Sequence, residues 1–246
     1  MIRLDIKQGM WKAWNRLAWI ILASVFLGMS VYLILHPTRT GVVPNYRLAA
    51  THWWESTSMY PGGTHGFLYA PPFAVLFSPL TFLRPAILGE ILWRALGFGM
   101  FGWVLWRLSG ISTARHGRMG KSEPTFLWIV LLAVPASLAS LNNGQTNLPL
   151  AACLVLATLA VRDSKWSLAA VFLSLSMILK PIALAPWLLA FAVLPAMRLP
   201  LLAGIPALIL IGFLHPHPTY AWSQWIEFFV KLSHSYTPEN LSLIHI

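Results

Sequence analysis

The run "LAWIILASVFLGMSVYLIL", residues 17–35, contains no charged side chain. About 19 apolar residues in a row are enough for an α-helix to cross the hydrocarbon core of a bilayer. The whole chain has the same character, because 57% of its 246 residues are hydrophobic and only 10% are charged. A soluble domain carries about 25% charged residues. The sequence therefore predicts an all-α fold, a polytopic bundle of membrane helices.

Further apolar runs follow, and together they predict about seven spans. These cover residues 17–35, 86–106, 125–141, 147–161, 166–179, 182–196 and 199–214. Another apolar segment, 67–83, contains Pro71, Pro72 and Pro79, which interrupt a straight helix. We expect this segment to be juxtamembrane or re-entrant. We also expect residues 1–240 to form a single integral-membrane domain.

The distribution of Lys and Arg predicts the orientation, because basic residues in short loops favour the cytoplasmic side. With a cytoplasmic N-terminus, the basic stretch 107–121, Lys165 and Arg198 all fall inside. We therefore expect a multi-pass protein of the plasma (inner) membrane. The 37–66 loop and the amide-rich stretch "NNGQTN" (142–147) then lie on the outer face.

The net charge of +10 does not predict a nucleic-acid partner, because the basic residues are spread over the loops instead of forming one stripe. Membrane lipids explain that distribution better. The histidines, such as His215 and His217, lack helical i, i+4 spacing and have few acidic neighbours, so we expect no metal site. The only cysteine, Cys153, lies in an apolar run and has no partner for an intrachain disulfide.

Two polar features interrupt apolar runs on the predicted outer face. In "SLASLNNGQTNLPLAACL" (137–154) four amide side chains fall within six positions. This pattern predicts either a polar turn or a site for hydroxyl-rich or phosphate ligands. Lys180 ends the run before Pro181, either to reach lipid head groups or to bind a lipid-linked phosphate.

Ionisable side chains on the same face are few. Glu90 and Arg94 are one helical turn apart, which predicts a pair that is structural or functional. Trp53 and Trp54 in the 37–66 loop suit an interfacial helix or sugar stacking. The carboxylates available as a general base are Glu55, Glu90, Glu227 and Glu239.

Four segments, in their order and spacing, resemble glycosyltransferase family 87. They are "YRLAATHWWESTSMY" (46–60), "GFLYAPPFAVLFSPL" (66–80), "LNNGQTNLPL" (141–150) and "LSLSMILKPIALAPWLL" (173–189). This family is of the GT-C integral-membrane type and includes α-1,2-mannosyltransferases. The resemblance covers about residues 40–240.

The resemblance implies inverting transfer of a mannose-like sugar from a polyprenyl-phosphate donor to a lipid or glycan hydroxyl, at the outer face and without a cofactor. It also implies a juxtamembrane helix between the first and second spans, in agreement with 67–83. By transfer of the motifs, Gln145, Asn147 and Lys180 line the donor or acceptor site, with Tyr69 nearby. We expect Arg47, beside Lys180, and Asn143, in the amide-rich stretch, to bind substrate as well.

One departure concerns the general base. Related enzymes place an aspartate early in the first outer loop, whereas this chain reads "RTGVVPNYRLAA" (39–50) and has no aspartate in 37–66. We therefore assign the catalytic role to Glu55. The alternative is a non-catalytic membrane carrier or scaffold in envelope glycan assembly, which the missing aspartate supports.

The last six residues, "LSLIHI" (241–246), match one reading frame of a sequencing-library adapter. We expect them to be non-native and residues 1–240 to be the N-terminal part of a longer protein.

Overall fold

The computed structural model describes residues 2–39, 41–61, 66–115 and 125–235. Within these ranges all regular structure is helical, so the prediction of an all-α fold is confirmed. The elements are α1 (Ile2–Leu35), α2 (Val43–Trp54), α3 (Pro71–Thr81), α4 (Ala86–Arg115), α5 (Thr125–Asn143), α6 (Asn147–Arg162), α7 (Trp166–Leu179), a 3₁₀ turn (Pro181–Ala183), α8 (Leu184–Val193), α9 (Pro195–Ile211) and α10 (Pro218–Ser235).

Three of these helices are long and apolar enough to cross a membrane: Lys12–Leu35, Ala86–Ile111 and Thr125–Asn143. They make the chain a multi-pass membrane protein. Four shorter apolar segments, Asn147–Arg162, Trp166–Leu179, Pro181–Val193 and Pro195–Ile211, correspond to the other predicted spans. Because about 20 residues are usual for a full crossing, the total of seven spans stays a prediction.

The structure moves the boundary between the last two predicted spans. Instead of ending at 196, α8 ends at Val193, and α9 begins at Pro195. Proline suits the first position of a helix because its missing N–H has no partner there anyway. Arg198 therefore lies within α9 and not in a loop, and its guanidinium donates to the carbonyls of Phe191 (3.1 Å) and Ala192 (3.2 Å) near the end of α8.

Segment 67–83 forms the short helix α3, which has 11 residues and a rise of about 16 Å, too short for a span. Its position relative to the bilayer stays a prediction. Residues 215–240 follow the last predicted span and contain no long apolar run, yet Pro218–Ser235 form α10. Ala221, Gln224 and Phe228 of this helix are buried whereas Trp222 is 60% exposed, so α10 packs against the protein along one face.

The described chain divides into two compact units. The first unit comprises Met1–Gly41 and Glu90–Ala152, and α1, α4 and α5 contribute its core. Phe26 stacks on Phe98 with ring centroids 6.5 Å apart, and Trp19 contacts Phe126 at 5.3 Å. Gly41 lies against the main chain of Asn143, so the segment after α1 contacts the end of α5.

The second unit comprises Val42–Gly89 and Cys153–Ile246. In it α2 packs on α3, and α7 packs on α9. One core contains Ala157, Ala160, Ala169, Ala170, Leu173, Trp187, Met197 and Leu201. The small alanines allow the helices of this core to approach closely. The expectation of a single integral-membrane domain stays a prediction.

We predict that Gly41→Ala destabilises the protein. Gly41 has φ of 65°, and a Cβ there would overlap the main chain of Asn143. The left-handed conformation alone costs a non-glycine residue about 1–2 kcal/mol. Thermal unfolding in detergent should show a lower Tm for Gly41→Ala and an equal or higher Tm for Gly28→Ala, where a Cβ meets nothing within 4 Å. Equal Tm values for Gly41→Ala and the parent would contradict the contact.

Candidate functional site

Residues 142–147, the amide loop, run from the last two residues of α5 to the first residue of α6, and α5 ends in a Schellman motif. Gly144 has φ of 63° and its N–H donates to Leu141 O (3.2 Å), while the N–H of Gln145 donates to Ser140 O (3.0 Å). This pair of bonds is the ordinary way in which a helix ends at a left-handed glycine. The glycine in "NNGQTN" therefore has a structural role, and the amides on either side are held at a defined helix end.

Two side chains of α4 hold the carbonyls of this helix end. Arg94 donates from Nε to Leu141 O and from Nη2 to Asn142 O, both at 3.0 Å. Trp93 donates from Nε1 to Gly144 O at 2.8 Å. The predicted ion pair is confirmed, with Arg94 Nη1 3.5 Å from Glu90 Oε2 and both side chains almost fully buried. Sequence spacing indicated this pair but not its partners 47 and 48 residues away.

Gln145 and Asn147 are brought together by the loop. Asn147 Nδ2 donates to Gln145 Oε1 (2.6 Å) and to Ser140 Oγ (3.0 Å). Within the described residues, Gln145 Nε2 and Asn147 Oδ1 have no protein hydrogen-bond partner, and both side chains are partly exposed. One donor group and one acceptor atom therefore remain open, a combination that suits a hydroxyl ligand. Asn143, the last residue of α5, is also partly exposed.

Lys180 lies where the apolar run breaks, as predicted. It adopts an extended conformation (φ −158°, ψ 134°) between α7 and the 3₁₀ turn that begins at Pro181. Burial lowers the pKa of its ammonium group. No hydrogen bond or ion pair of this ammonium group occurs among the described residues. A half-buried cation of this kind is suited to bind an anion.

Arg47 is the substrate-binding candidate whose observed contacts are structural. Its guanidinium donates to Thr81 O (3.2 Å), at the end of α3, and to Ala86 O (2.6 Å), at the start of α4. Gly89 makes room for it, because a Cβ there would lie 2.8 Å from Arg47 Nη2 and would overlap Leu80 O. The guanidinium therefore links α2 to the connection between α3 and α4.

Tyr69 belongs to an aromatic cluster that sequence reasoning did not identify. Its hydroxyl is 2.8 Å from that of Tyr46, and its ring stacks on Phe73 with centroids 4.6 Å apart. Tyr60 donates from its hydroxyl to Tyr69 O at 2.7 Å. Tyr46 also makes edge contacts with Phe73 and with Phe77. The Tyr-x-Pro-Pro element thus joins the start of α3 to α2.

The base candidate Glu55 caps the C-terminus of α2 and is exposed. Ser56 follows in the left-handed conformation (φ 57°), and the N–H of Thr57 donates to His52 O (3.0 Å), which completes a second Schellman motif. Within the described residues, the Glu55 carboxylate has no hydrogen bond or ion pair. It is thus accessible but not oriented by a neighbour. Trp53 is fully buried, so it does not lie on a lipid surface.

Glu227 of α10 is a second carboxylate next to the same loop, and it is oriented. Ser58 Oγ donates to Glu227 Oε2, and Gln224 Nε2 donates to Glu227 Oε1 at 3.2 Å. Gln224 is buried, and its Oε1 accepts the N–H of Met59 at 2.9 Å. The sequence offered Glu227 as one of four carboxylates, but its neighbours depend on α10, which was not predicted.

Two tyrosines beside Glu227 act as hydrogen-bond donors. Burial, with the charge of Glu227 as a smaller cause, raises the pKa of Tyr60 and of Tyr220 well above the usual value. Both phenols are therefore protonated at neutral pH. The single hydroxyl proton of Tyr220 is shared between Thr57 O (2.6 Å) and His52 O (3.1 Å), which attaches α10 to the end of α2.

The structure places the predicted site residues in both units. Asn143, Gln145 and Asn147 belong to the first unit, and Arg47, Glu55, Tyr69 and Lys180 belong to the second. Among the described residues, no group of three or more His, Cys, Asp or Glu side chains is arranged to hold a metal ion.

The family to which the chain belongs follows from a match to a family model. The model for glycosyltransferase family 87 matches residues 67–246, well over half of the chain. The chain belongs to glycosyltransferase family 87. Membership implies that the protein transfers a sugar and has donor and acceptor substrates. The match includes Tyr69, the amide loop and Lys180 but not Arg47 or Glu55. Neither a curated protein nor a solved structure matches the chain.

We predict that Tyr220→Phe loosens the attachment of α10. The variant loses the hydroxyl bonds to Thr57 O and His52 O and should be about 1–2 kcal/mol less stable. The control is Tyr32→Phe, whose hydroxyl, within the described part of the chain, accepts one bond, from exposed Arg39. Limited proteolysis after residue 55 should become faster in Tyr220→Phe alone, and equal rates in both variants would contradict the assigned role.

Proposed function

We propose that this member of family 87 transfers a mannose-like sugar from a polyprenyl-phosphate donor to a hydroxyl of a lipid or glycan, at the outer face of the plasma membrane and with inversion at the anomeric carbon. The acceptor oxygen forms a bond to that carbon as the bond to the donor phosphate breaks. The acceptor proton passes to a carboxylate, and polyprenyl phosphate leaves with the electron pair. The proposal also keeps the predicted GT-C-like arrangement of about seven spans.

The observation that carries this proposal is the amide loop. Within the described residues, Gln145 Nε2 and Asn147 Oδ1 have no hydrogen-bond partner. Side chains of α4 hold three carbonyls at the start of their loop, those of Leu141, Asn142 and Gly144. A rigid donor and acceptor pair can orient sugar hydroxyls at small entropic cost. A connecting turn alone would not require these fixed, open amides.

Lys180 supplies the charge that the leaving group requires. Negative charge grows on the phosphate in the transition state, and a fixed cation there stabilises the transition state more than the ground state. Lys180 is half-buried and has no protein anion beside it among the described residues. Contact of Arg47 with the phosphate stays a prediction, because its observed bonds are to main-chain carbonyls.

We assign the base role to Glu55, whose carboxylate is exposed to solvent. Glu227 is the second candidate, since Ser58 and Gln224 hold its carboxylate in one orientation. General-base catalysis is worth about 10²–10⁴-fold, so the two are separable by substitution. Glu55→Gln should lower the rate of transfer by about 10²–10⁴-fold, whereas Glu227→Gln should retain it. The reverse pattern would transfer the role to Glu227.

The alternative function is a non-catalytic carrier or scaffold in envelope glycan assembly. It is favoured by the absence of an aspartate from the 37–66 loop. Such a protein would bind the lipid-linked sugar without releasing polyprenyl phosphate. Release of polyprenyl phosphate therefore distinguishes the two functions.

We predict that Lys180→Ala lowers kcat/KM by about 10²–10³-fold, the usual effect of removing one electrostatic group. Gln145→Ala should mainly raise KM for the donor. The assay supplies radiolabelled polyprenyl-phosphate mannose to membranes with the protein and measures label in the lipid and glycan fractions. Lys165→Ala, at the exposed other end of α7, is the matched control and should retain full activity. Undiminished transfer by both Lys180→Ala and Gln145→Ala would overturn the assignment.

A further inference from the structure

We propose that Arg94, assisted by Trp93, is a positioning residue that holds the amide loop in the conformation that binds sugar. The effect of this positioning role on the kinetics of transfer rests on the proposed function. Arg94 does not contact the substrate itself, because only 1% of its side chain is exposed. It acts through the peptide groups that lead into Gln145.

The location of Arg94 is costly for a cation. It lies inside α4, in one of the three long apolar helices, where a charge is unfavourable by several kcal/mol unless it is compensated. Glu90, one turn earlier, supplies the opposite charge at 3.5 Å and a main-chain acceptor at 3.2 Å. The charge of Glu90 thus stabilises the buried guanidinium of Arg94 beside the end of α5.

The guanidinium is used for geometry as well as charge. Two of its nitrogens donate to consecutive carbonyls, Leu141 O and Asn142 O, and the planar fork fixes the direction of both peptide groups. The Schellman motif already supplies a donor to Leu141 O from Gly144. Leu141 O would therefore have a donor even without Arg94, and the bonds from Arg94 also orient the peptide groups.

Trp93 extends this hold to the next part of the loop. Its indole N–H donates to Gly144 O, the carbonyl of the peptide bond that precedes Gln145. Adjacent residues of α4 thereby hold the loop from Leu141 to Gly144. Rotation of the Gly144–Gln145 peptide would displace Gln145, and Asn147 with it, because the two side chains are bonded at 2.6 Å.

The first experiment measures the loop directly. In a Cys153→Ala background, which removes the only cysteine, Asn142→Cys is labelled with a nitroxide and its spectrum is recorded. We expect Arg94→Lys, which keeps the charge opposite Glu90 but loses the fork, to increase label mobility. Trp93→Phe should do the same to a smaller extent. The controls Arg107→Lys and Trp103→Phe make the same changes elsewhere on α4, where Arg107 lies over the Trp103 ring, and should leave the spectrum unchanged.

The second experiment separates positioning from stability. With polyprenyl-phosphate mannose as donor and unlabelled enzyme, Arg94→Lys should raise KM about tenfold, as for loss of substrate orientation, with a smaller change in kcat. If Arg94→Lys does not fold, Trp93→Phe provides both readouts. An unchanged spectrum in the variants that fold, or a mobile label with unchanged KM, overturns the proposal. A parent protein without transfer contradicts the proposed function, and the spectrum then decides whether Arg94 holds the loop.

Discussion

This structure depends most on hydrogen bonds from arginine side chains to the main-chain carbonyls at the ends of helices. In an apolar environment the last carbonyls of a helix cannot obtain donors from water, so the protein has to supply them. Arg94 does so for α5, Arg47 for the end of α3, and Arg198 for α8. In each case a guanidinium lies at the connection between two consecutive helices. Part of the basic charge of the chain is therefore structural.

This constraint also explains why the amide loop is suited to bind a ligand. The backbone of the loop is satisfied by Arg94, Trp93 and its own Schellman motif, and one side-chain bond from Asn147 to Ser140 closes the turn. Within the described residues this leaves Gln145 Nε2 and Asn147 Oδ1 available for a substrate. At Glu55 the situation differs, because the carboxylate is available but nothing among the described residues orients it.

Much of the fold could be predicted because the information is local. Continuous apolar runs indicated α1, α4 and α5, and the proline after Lys180 indicated the break there. The spacing of Glu90 and Arg94 indicated their ion pair. What could not be predicted depends on contacts distant in sequence. The apolar residues of α10 stand in short groups that polar residues separate, and Glu227 acquires its bond from Ser58 only when α10 packs beside that residue. The burial of Trp53 is of the same kind, since it depends on packing against His215 and Tyr220.

Photo-crosslinking of the donor tests most directly whether Gln145 and Asn147 bind the sugar. A polyprenyl-phosphate mannose analogue with a photoreactive group on the sugar is irradiated with the protein in membranes, and the modified peptide is identified by mass spectrometry. We expect modification within the amide loop, residues 142–147, and an excess of unmodified donor should suppress it. Crosslinks that compete with the donor but lie only outside this loop would contradict the claim that Gln145 and Asn147 bind the sugar.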